Sequence, residues 1–76
     1  MKIEIIGKPN CPYCIDTKTL MKIKKLDYKY TEFQDLDPTE QTQVLEVKAP
    51  NARTFPIIFI DNVYVGGFTD INAILN

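Results

Sequence analysis

Two cysteines, Cys11 and Cys14, are the residues of this 76-residue chain best suited to chemistry. They are its only cysteines, and two residues separate them. A short apolar run, Ile3 to Ile6, precedes them, and a segment rich in helix formers, roughly Ile15 to Lys25, follows. A Cys-x-x-Cys pair between a predicted strand and a predicted helix is typical of a dithiol redox site.

The position of Cys11 favours its thiolate form. Only a deprotonated sulfur attacks a disulfide, and a free thiol has a pKa of about 8.5. A helix N-terminus carries about +0.5 of a charge and has unpaired N–H groups. Pro12 suits the first helical position, so we expect Cys11 at the N-cap, with Lys8 as a nearby cation. We therefore predict that Cys11 is the attacking nucleophile and that Cys14, one turn later, is the resolving thiol.

Three other roles are known for such a cysteine pair. A structural zinc ion needs four ligands, usually Cys and His, and this chain has neither a histidine nor a second cysteine pair. A permanent structural disulfide across two residues closes a very small loop and restrains the unfolded chain little. Two buried, unreactive thiols stay open as an alternative, since free cysteine is often core. No metal site is expected.

Composition limits the class of protein. The chain is long enough for one small domain, residues 1–76, with an ordinary 45% hydrophobic and 25% charged residues. A net charge of −1 provides no basic surface for nucleic acid or for a membrane. No apolar run approaches the roughly 20 residues that span a bilayer, and the N-terminus lacks a signal-peptide pattern. Two cysteines without a secretion signal indicate a reducing compartment, so we expect a cytoplasmic protein.

The remaining chain alternates strand and helix patterns. Aromatic and β-branched residues predict a second strand, and an Asp-Pro start predicts a second helix. A continuous apolar run, a two-residue Asp-Asn turn and a short apolar run predict a hairpin. The segments are Lys2–Ile6, Ile15–Lys25, Tyr28–Phe33, a helix starting at Asp37 and ending near Ala49, Ile57–Ile60, Val63–Val65 and a final helix to Leu75. The order β-α-β-α-β-β-α predicts an α/β fold with a mixed four-stranded sheet and helices on both faces.

This order, with a dithiol at the start of the first helix, resembles the thioredoxin fold, and three motifs resemble the glutaredoxin family. Lys8-x-x-Cys11-Pro12-Tyr13-Cys14 is similar to the dithiol glutaredoxin active site. Thr54-Phe55-Pro56 resembles the family's Thr-Val-Pro segment, whose proline is cis. Gly66-Gly67-Phe68-Thr69-Asp70 resembles its Gly-Gly-x-x-Asp segment. The resemblance covers essentially the whole chain.

The resemblance implies a thiol–disulfide oxidoreductase with glutathione as co-substrate and no tightly bound cofactor. It implies that Cys11 and Cys14 are catalytic and that ten further residues bind glutathione. These are Lys8, Tyr13, Arg53, Thr54, Phe55, Pro56, Gly67, Phe68, Thr69 and Asp70. Lys8 and Arg53 would hold the glycine carboxylate, and Asp70 the γ-glutamyl ammonium. Three of these residues have an alternative role: Arg53 as an ordinary surface charge, Asp70 as a helix cap and Pro56 as a trans residue at the entry of a strand.

Two departures from the family pattern bear on substrate preference: Phe55 replaces the usual Val, and Phe68 stands where Cys is common. The expected partners are glutathione and proteins carrying disulfides or glutathionyl groups, ribonucleotide reductase among them, and the chain is expected to be a monomer. A second hypothesis is a thioredoxin-like electron donor to ribonucleotide reductase, recharged by thioredoxin reductase. A third is a carrier of an iron–sulfur cluster held between two chains through Cys11 and glutathione.

Overall fold

The computed structural model describes all residues, 1–76, and has four strands and three α-helices. In chain order these are β1 (Ile3–Gly7), α1 (Pro12–Ile23), β2 (Lys29–Glu32), α2 (Pro38–Gln43), β3 (Ile57–Ile60), β4 (Val63–Gly66) and α3 (Phe68–Leu75). A 3-10 turn, Phe33–Asp35, follows β2, and a π-helical turn, Val44–Lys48, extends α2. The predicted β-α-β-α-β-β-α order is confirmed.

The strands form one mixed sheet in the order β2-β1-β3-β4. β1 and β2 are parallel, with Gly7 opposite Glu32, and the two other pairs are antiparallel. Asp61 and Asn62 join β3 to β4 with positive φ angles of 49° and 68°, as predicted for this two-residue turn. The sheet therefore has the predicted mixed, four-stranded topology.

The helices cover both faces of the sheet. On one face, Leu20 and Met21 of α1 and Ile71 of α3 pack with Ile5 and Ile58 of the central strands. The segment that follows α2 covers the other face. A second cluster forms there from Val44 and Ala49 of this segment and Ile57 and Phe59 of β3. Each such buried aliphatic side chain stabilises the fold by about 1.5–3 kcal/mol. None of the helices has the length and apolar character needed to cross a bilayer.

Several predicted boundaries were wrong by one or two residues. The first helix begins at Pro12 with Cys11 as its N-cap, as predicted, so it includes the residues before the helix-forming run from Ile15. It ends at Ile23 rather than Lys25, and Lys25 has a positive φ of 57°. The first strand runs one residue later than predicted, and the last strand continues to Gly66.

The second strand is shorter than the predicted Tyr28–Phe33. β2 pairs with β1 only through Lys29 to Glu32, and Phe33 already starts the 3-10 turn. As predicted, Asp37 is the N-cap of the second helix. Its carboxylate accepts the Glu40 N–H at 2.8 Å. In the π-helical turn, Val44 is buried and the following Leu45 is 44% exposed.

The Tyr30 side chain crosses from β2 onto the end of β1. It lies against Gly7, where a Cβ atom would contact the Tyr30 hydroxyl oxygen and approach two of its ring carbons, at 2.8 and 2.9 Å. Real Cβ contacts essentially never fall below 3.0 Å. The glycine at the end of β1 is therefore required by the space that the tyrosine occupies.

Gly7→Ala is expected to lower the free energy of unfolding by about 1–3 kcal/mol, the usual cost of overpacking. Urea denaturation measures this. Gly67→Ala is the control, because its Cβ would lie 3.5 Å from the Pro56 carbonyl oxygen, an ordinary contact. Equal stability of the two variants would contradict the steric explanation.

Tyr30 should also make stability fall at alkaline pH. Burial, and then its hydrogen bond to Glu32, raises the pKa of Tyr30 above its ordinary value of 10.0. The folded state thus retains a proton that the unfolded chain loses, so this contribution is complete below pH 10 and disappears as the pH rises through the folded-state pKa. In urea titrations between pH 8 and 12, Tyr30→Phe should lose less stability with rising pH than wild type. Parallel curves would exclude this role of Tyr30.

Candidate active site

The dithiol lies between β1 and α1. β1 ends at Gly7, a short loop follows, and Asn10 turns the chain with a positive φ of 56°. Cys11 is the N-cap of α1, as predicted, and its Sγ accepts the Cys14 N–H at 3.1 Å. The two cysteines form a disulfide, with their Cα atoms 5.2 Å apart. The first turn of α1 therefore directs its N–H groups towards the Cys11 sulfur.

The two cysteines are unequally accessible. Cys11 is 5% exposed and Cys14 is 1% exposed, whereas Tyr13 between them is 59% exposed. Cys14 lies on the side of α1 that packs on the sheet, together with Thr17, whose hydroxyl donates to the Tyr13 carbonyl oxygen at 2.7 Å. An incoming disulfide therefore reaches Cys11 more easily than Cys14.

A groove of about 330 Å³ begins at Tyr13 and continues between the loop before β3 and the start of α3. Its lining brings together nine of the ten residues that the sequence assigned to glutathione, namely Tyr13, Arg53, Thr54, Phe55, Pro56, Gly67, Phe68, Thr69 and Asp70. Lys8 is the exception and does not line it. Neither cysteine lines the groove, which reaches the dithiol motif through Tyr13. Its volume is within the usual range of ligand pockets.

The side chain of Phe55 accounts for the position of Lys8. The Phe55 ring packs edge-on against Phe33, with ring centroids 5.3 Å apart. The Lys8 ammonium lies 5.7 Å from the centroid of the same ring, in a cation–π contact. The Phe55–Pro56 peptide bond is cis. The phenylalanine that replaces the usual valine thus contacts Lys8, which does not itself line the groove.

Two aromatic rings form one wall of the groove near the dithiol. Tyr13 and Phe68 are stacked, with centroids 5.9 Å apart and planes 16° apart. Stacked aromatic pairs add about 0.5–1.5 kcal/mol beyond the area that they bury. The pair gives the groove an apolar side next to Cys11.

The N-terminus of α3, which begins with Phe68, also lines the groove. Gly66 has a φ of 125°, a conformation that L side chains rarely adopt, and the Asp70 carboxylate fills the space beside it. The N-cap is Gly67, which has no side chain with which to accept the N–H groups of the first turn. Those donors, together with the helix dipole, favour an anion at this end of the groove.

Two further residues line the groove and were missed in the sequence: Asn51 and Tyr64. Asn51 lies in the loop before Arg53, where the sequence pattern predicts only the end of a helix. Tyr64 alternates with two valines in β4, and its ring centroid lies 6.0 Å from that of Phe59, so its pattern indicates packing. Neither residue type carries a sequence signal for ligand binding.

Comparison with known proteins identifies the family. A family model described as Glutaredoxin matches residues 3–65 of the chain. The chain belongs to the glutaredoxin family. It is 34% identical over 80 residues to a glutaredoxin of Haemophilus influenzae, an alignment that covers 99% of this chain and 91% of the relative. The resemblance stated from the motifs is confirmed, and membership supports thiol–disulfide oxidoreduction as the activity of the dithiol.

Solved structures share the fold of this glutaredoxin. The reduced glutaredoxin of Escherichia coli superposes with a TM-score of 0.77 at 28% identity, over 99% of this chain and 93% of the other. Two more distant structures show the fold alone. A buckwheat glutaredoxin–glutathione complex has a TM-score of 0.77 at 22% identity, over 93% of this chain and 64% of the other. The glutaredoxin-like NrdH-redoxin of Escherichia coli, described as having a thioredoxin-like activity profile, has a TM-score of 0.75 at 23% identity, over 100% of this chain and 96% of the other.

Asp70 acts as a cap of α3 in this structure. One carboxylate oxygen accepts the Gly67 N–H at 3.0 Å. Asp70→Ala should therefore lower the free energy of unfolding by about 1 kcal/mol, the net value of such a bond. Asp70→Asn keeps an acceptor of the same length and should stay close to wild type in a thermal or urea melt. A fully stable Asp70→Ala variant would contradict the capping role.

Proposed function

We propose that this glutaredoxin is a glutathione-dependent oxidoreductase that reduces glutathionylated proteins and protein disulfides. The observation that carries the proposal is the groove of about 330 Å³ lined by Tyr13, inside the dithiol motif, by the loop before β3 and by the N-terminus of α3. Its charges complement a tripeptide with two carboxylates and one ammonium. Arg53 lies in the lining on the loop before β3, and Asp70 lies in the lining on the first turn of α3.

Arg53 is the residue proposed for the glycine carboxylate. It lines the groove, whereas the Lys8 ammonium is held over the Phe55 ring outside it. A guanidinium binds a carboxylate with two parallel hydrogen bonds, which a single ammonium cannot do. Lys8 then contributes positive charge near Cys11 rather than a direct contact.

The backbone of Phe55 is proposed to pair with the peptide groups of glutathione. Its side chain packs on Phe33, and both Phe55 and Pro56 line the groove. A peptide that lies along the exposed backbone before β3 pairs in the manner of an added strand. This arrangement places the cysteine of the tripeptide between the Phe55 backbone and Tyr13, next to Cys11.

The γ-glutamyl end is proposed to lie at the start of α3. Its carboxylate would accept N–H groups near Thr69, which the glycine N-cap leaves open. Its ammonium would face Asp70. Because one oxygen of Asp70 already accepts the Gly67 N–H, the same carboxylate holds the helix end in place and offers its other oxygen to the ligand.

The proposed reaction is thiol–disulfide exchange in two forms. In the first, the Cys11 thiolate attacks the glutathione sulfur of a mixed disulfide, releases the protein thiolate and becomes glutathionylated. A second glutathione thiolate then attacks that bond, releasing glutathione disulfide and the Cys11 thiolate. In the second form, Cys11 attacks a protein disulfide, Cys14 displaces the bound protein sulfur, and two glutathione molecules reduce the Cys11–Cys14 bridge. The chain has no histidine, so activation of Cys11 is electrostatic.

The second candidate keeps the dithiol but replaces glutathione by thioredoxin reductase as electron donor. It is favoured by the match to NrdH-redoxin, whose fold aligns over the whole of this chain. The two donors are distinguished by following the Cys11–Cys14 disulfide with a thiol-alkylating reagent. Saturable reduction by glutathione supports the first candidate. Reduction only by NADPH with thioredoxin reductase supports the second and contradicts the first.

Serine substitutions test the two cysteines. Cys11→Ser should abolish activity in a glutathione-coupled mixed-disulfide assay, because it removes the sulfur that attacks. Cys14→Ser should keep deglutathionylation but lose reduction of protein disulfides, since only the latter needs a resolving thiol. An active Cys11→Ser variant would refute the assignment of the nucleophile.

Arg53→Gln tests the glutathione site. Hydrogen bonds to charged groups are worth about 1.5–3 kcal/mol, so the KM for glutathione should rise about 10- to 100-fold, with a smaller change in kcat. Lys22→Gln removes a cation near the end of α1, at a distance from the groove, and is the matched control. The same KM in both variants would show that Arg53 is an ordinary surface charge.

A further inference from the structure

A second groove lies between α1 and α3 and shares one residue, Phe68, with the groove proposed for glutathione. This α1–α3 groove has a volume of about 220 Å³. Apart from Phe68, its lining comes from α1 alone, namely from Asp16, Thr19, Leu20 and Ile23. None of these four residues has a part in the proposed glutathione site, so the groove is free for another role.

The outer face of α1 beside this groove carries two exposed isoleucines. Ile15 is 59% exposed and Ile23 is 69% exposed. Thr19 lies between them, and a spacing of four residues places all three on one face of the helix. The Thr19 hydroxyl donates to the Ile15 carbonyl oxygen at 3.0 Å, so its polar group is already satisfied within the helix. Exposed branched side chains that adjoin a groove are typical of an interaction surface.

One negative charge lies in this apolar surface. Asp16 is exposed and lines the α1–α3 groove. It has no part in the ion pair of the structure, which joins Lys2 to Glu4. The residues three and four positions away on α1 include no cation, so no neighbour on the helix compensates its charge. The groove therefore complements a partner that presents apolar side chains together with a basic one.

The position of the groove relative to the dithiol indicates which partner this is. Neither cysteine lines it, but Phe68 does, and the Phe68 ring is stacked on Tyr13 of the dithiol motif with centroids 5.9 Å apart. Ile23 lies about 18 Å from Cys11 along the axis of α1, at 1.5 Å per residue. An extended peptide covers this distance with about five residues. A chain whose disulfide reaches Cys11 thus has its neighbouring residues within reach of the groove.

We infer that the α1–α3 groove binds the segment of a protein substrate that adjoins its reactive disulfide. The segment carries apolar side chains and a basic residue within about five residues of the reactive cysteine. The inference rests on the proposed reduction of proteins and names the class of protein that is reduced. The proposed contacts of glutathione lie in the other groove, so the two parts of a glutathionylated protein have separate surfaces.

The size of the surface suits a brief contact with a substrate better than a permanent complex. From Ile15 to Ile23 the face of α1 is about 12 Å long, and a helix with its side chains is about 10 Å wide. Each partner of a stable complex buries about 800 Å², several times the area of such a face. A substrate that must leave after each turnover needs only a small, weakly held contact, whereas a stable dimer needs more.

The test measures how fast the reduced full-length protein reduces synthetic peptides with one internal disulfide, in a single turnover without glutathione. The first peptide carries two leucines and an arginine next to its reactive cysteine. The second has serines in place of the leucines, and the third has glutamate in place of the arginine. Wild type should reduce the first peptide about tenfold faster than the second, because the leucines leave water in the complex.

Ile23→Ser tests the apolar part of the groove. It should lower the second-order rate constant for the leucine peptide about five- to tenfold and leave that for the serine peptide unchanged. Val47→Ser is the matched control, because Val47 is 73% exposed on the π-helical turn and does not line the groove. Both side chains are largely exposed in the free protein, so neither substitution removes a core residue.

Asp16→Lys tests the charge. It should slow reduction of the arginine peptide and accelerate that of the glutamate peptide, each about two- to fivefold, the range measured for exposed ion pairs. Glu46→Lys makes the same change of net charge at an exposed position on the π-helical turn and should change neither rate constant. A preference that reverses only in Asp16→Lys supports direct pairing with the basic residue of the substrate.

Three results would overturn the inference. The first is equal rates for the leucine and serine peptides in wild type, and the second is equal effects of Ile23→Ser and Val47→Ser on the leucine peptide. The third is a dimer in sedimentation that Ile23→Ser converts to a monomer, since the occupant of the groove is then a second copy of the chain.

The mixed disulfide of glutathione and cysteine separates this inference from the proposed function. It is too small to reach Ile23 from Cys11, so its rate constant should be the same in wild type and in all four variants. Slower reaction of this substrate in Ile23→Ser would show general damage and contradict the docking role. If wild type reduces the peptides with the expected preference but not this substrate, glutathione dependence fails and the inference stands.

Discussion

The sulfur of Cys11 caps α1, and the redox site depends on this contact. The Cys14 N–H donates to that sulfur, and the remaining N–H groups of the first turn point in the same direction. The positive end of the helix dipole therefore lies where a thiolate forms. Pro12 removes one N–H that would have had no partner, and Asn10 supplies the positive φ by which the chain enters the helix. The position of α1 on the sheet is in turn set by its buried residues.

The sheet topology assembles the groove around this cap. β3 is antiparallel to β1, and β4 is antiparallel to β3. The end of β1, the start of β3 and the end of β4 consequently lie at one edge of the sheet. The segments attached there carry Cys11, the Phe55–Pro56 bond and the start of α3. Three stretches far apart in sequence meet because of strand direction alone.

Much of the secondary structure and the capped dithiol can be predicted from local sequence. The Asp-Pro start of α2, the run Ile57–Ile60 and the Asp61–Asn62 turn each specify their structure through short-range chemistry. Pro12 and the spacing of the cysteines predict the capped dithiol in the same way. The motif before β3 and the motif before α3 predict the groove through their resemblance to a family, not through any local physical rule.

What could not be read from the sequence depends on contacts between distant residues. Lys8 does not line the groove, and its ammonium lies over the ring of Phe55, 47 positions later in the chain. Tyr64 and Asn51 reach the lining only through the fold. The π-helical turn that follows α2, in which Leu45 is exposed, is predicted by no residue type.

The fold gives the two sulfurs different surroundings although only two residues separate them. Cys11 caps the N-terminus of α1, whose N–H groups and dipole favour a negative charge on its sulfur. Cys14 is turned towards the sheet and is almost completely buried. One sulfur thus lies at the positive end of the helix, and the other lies on the side of the helix that packs on the core.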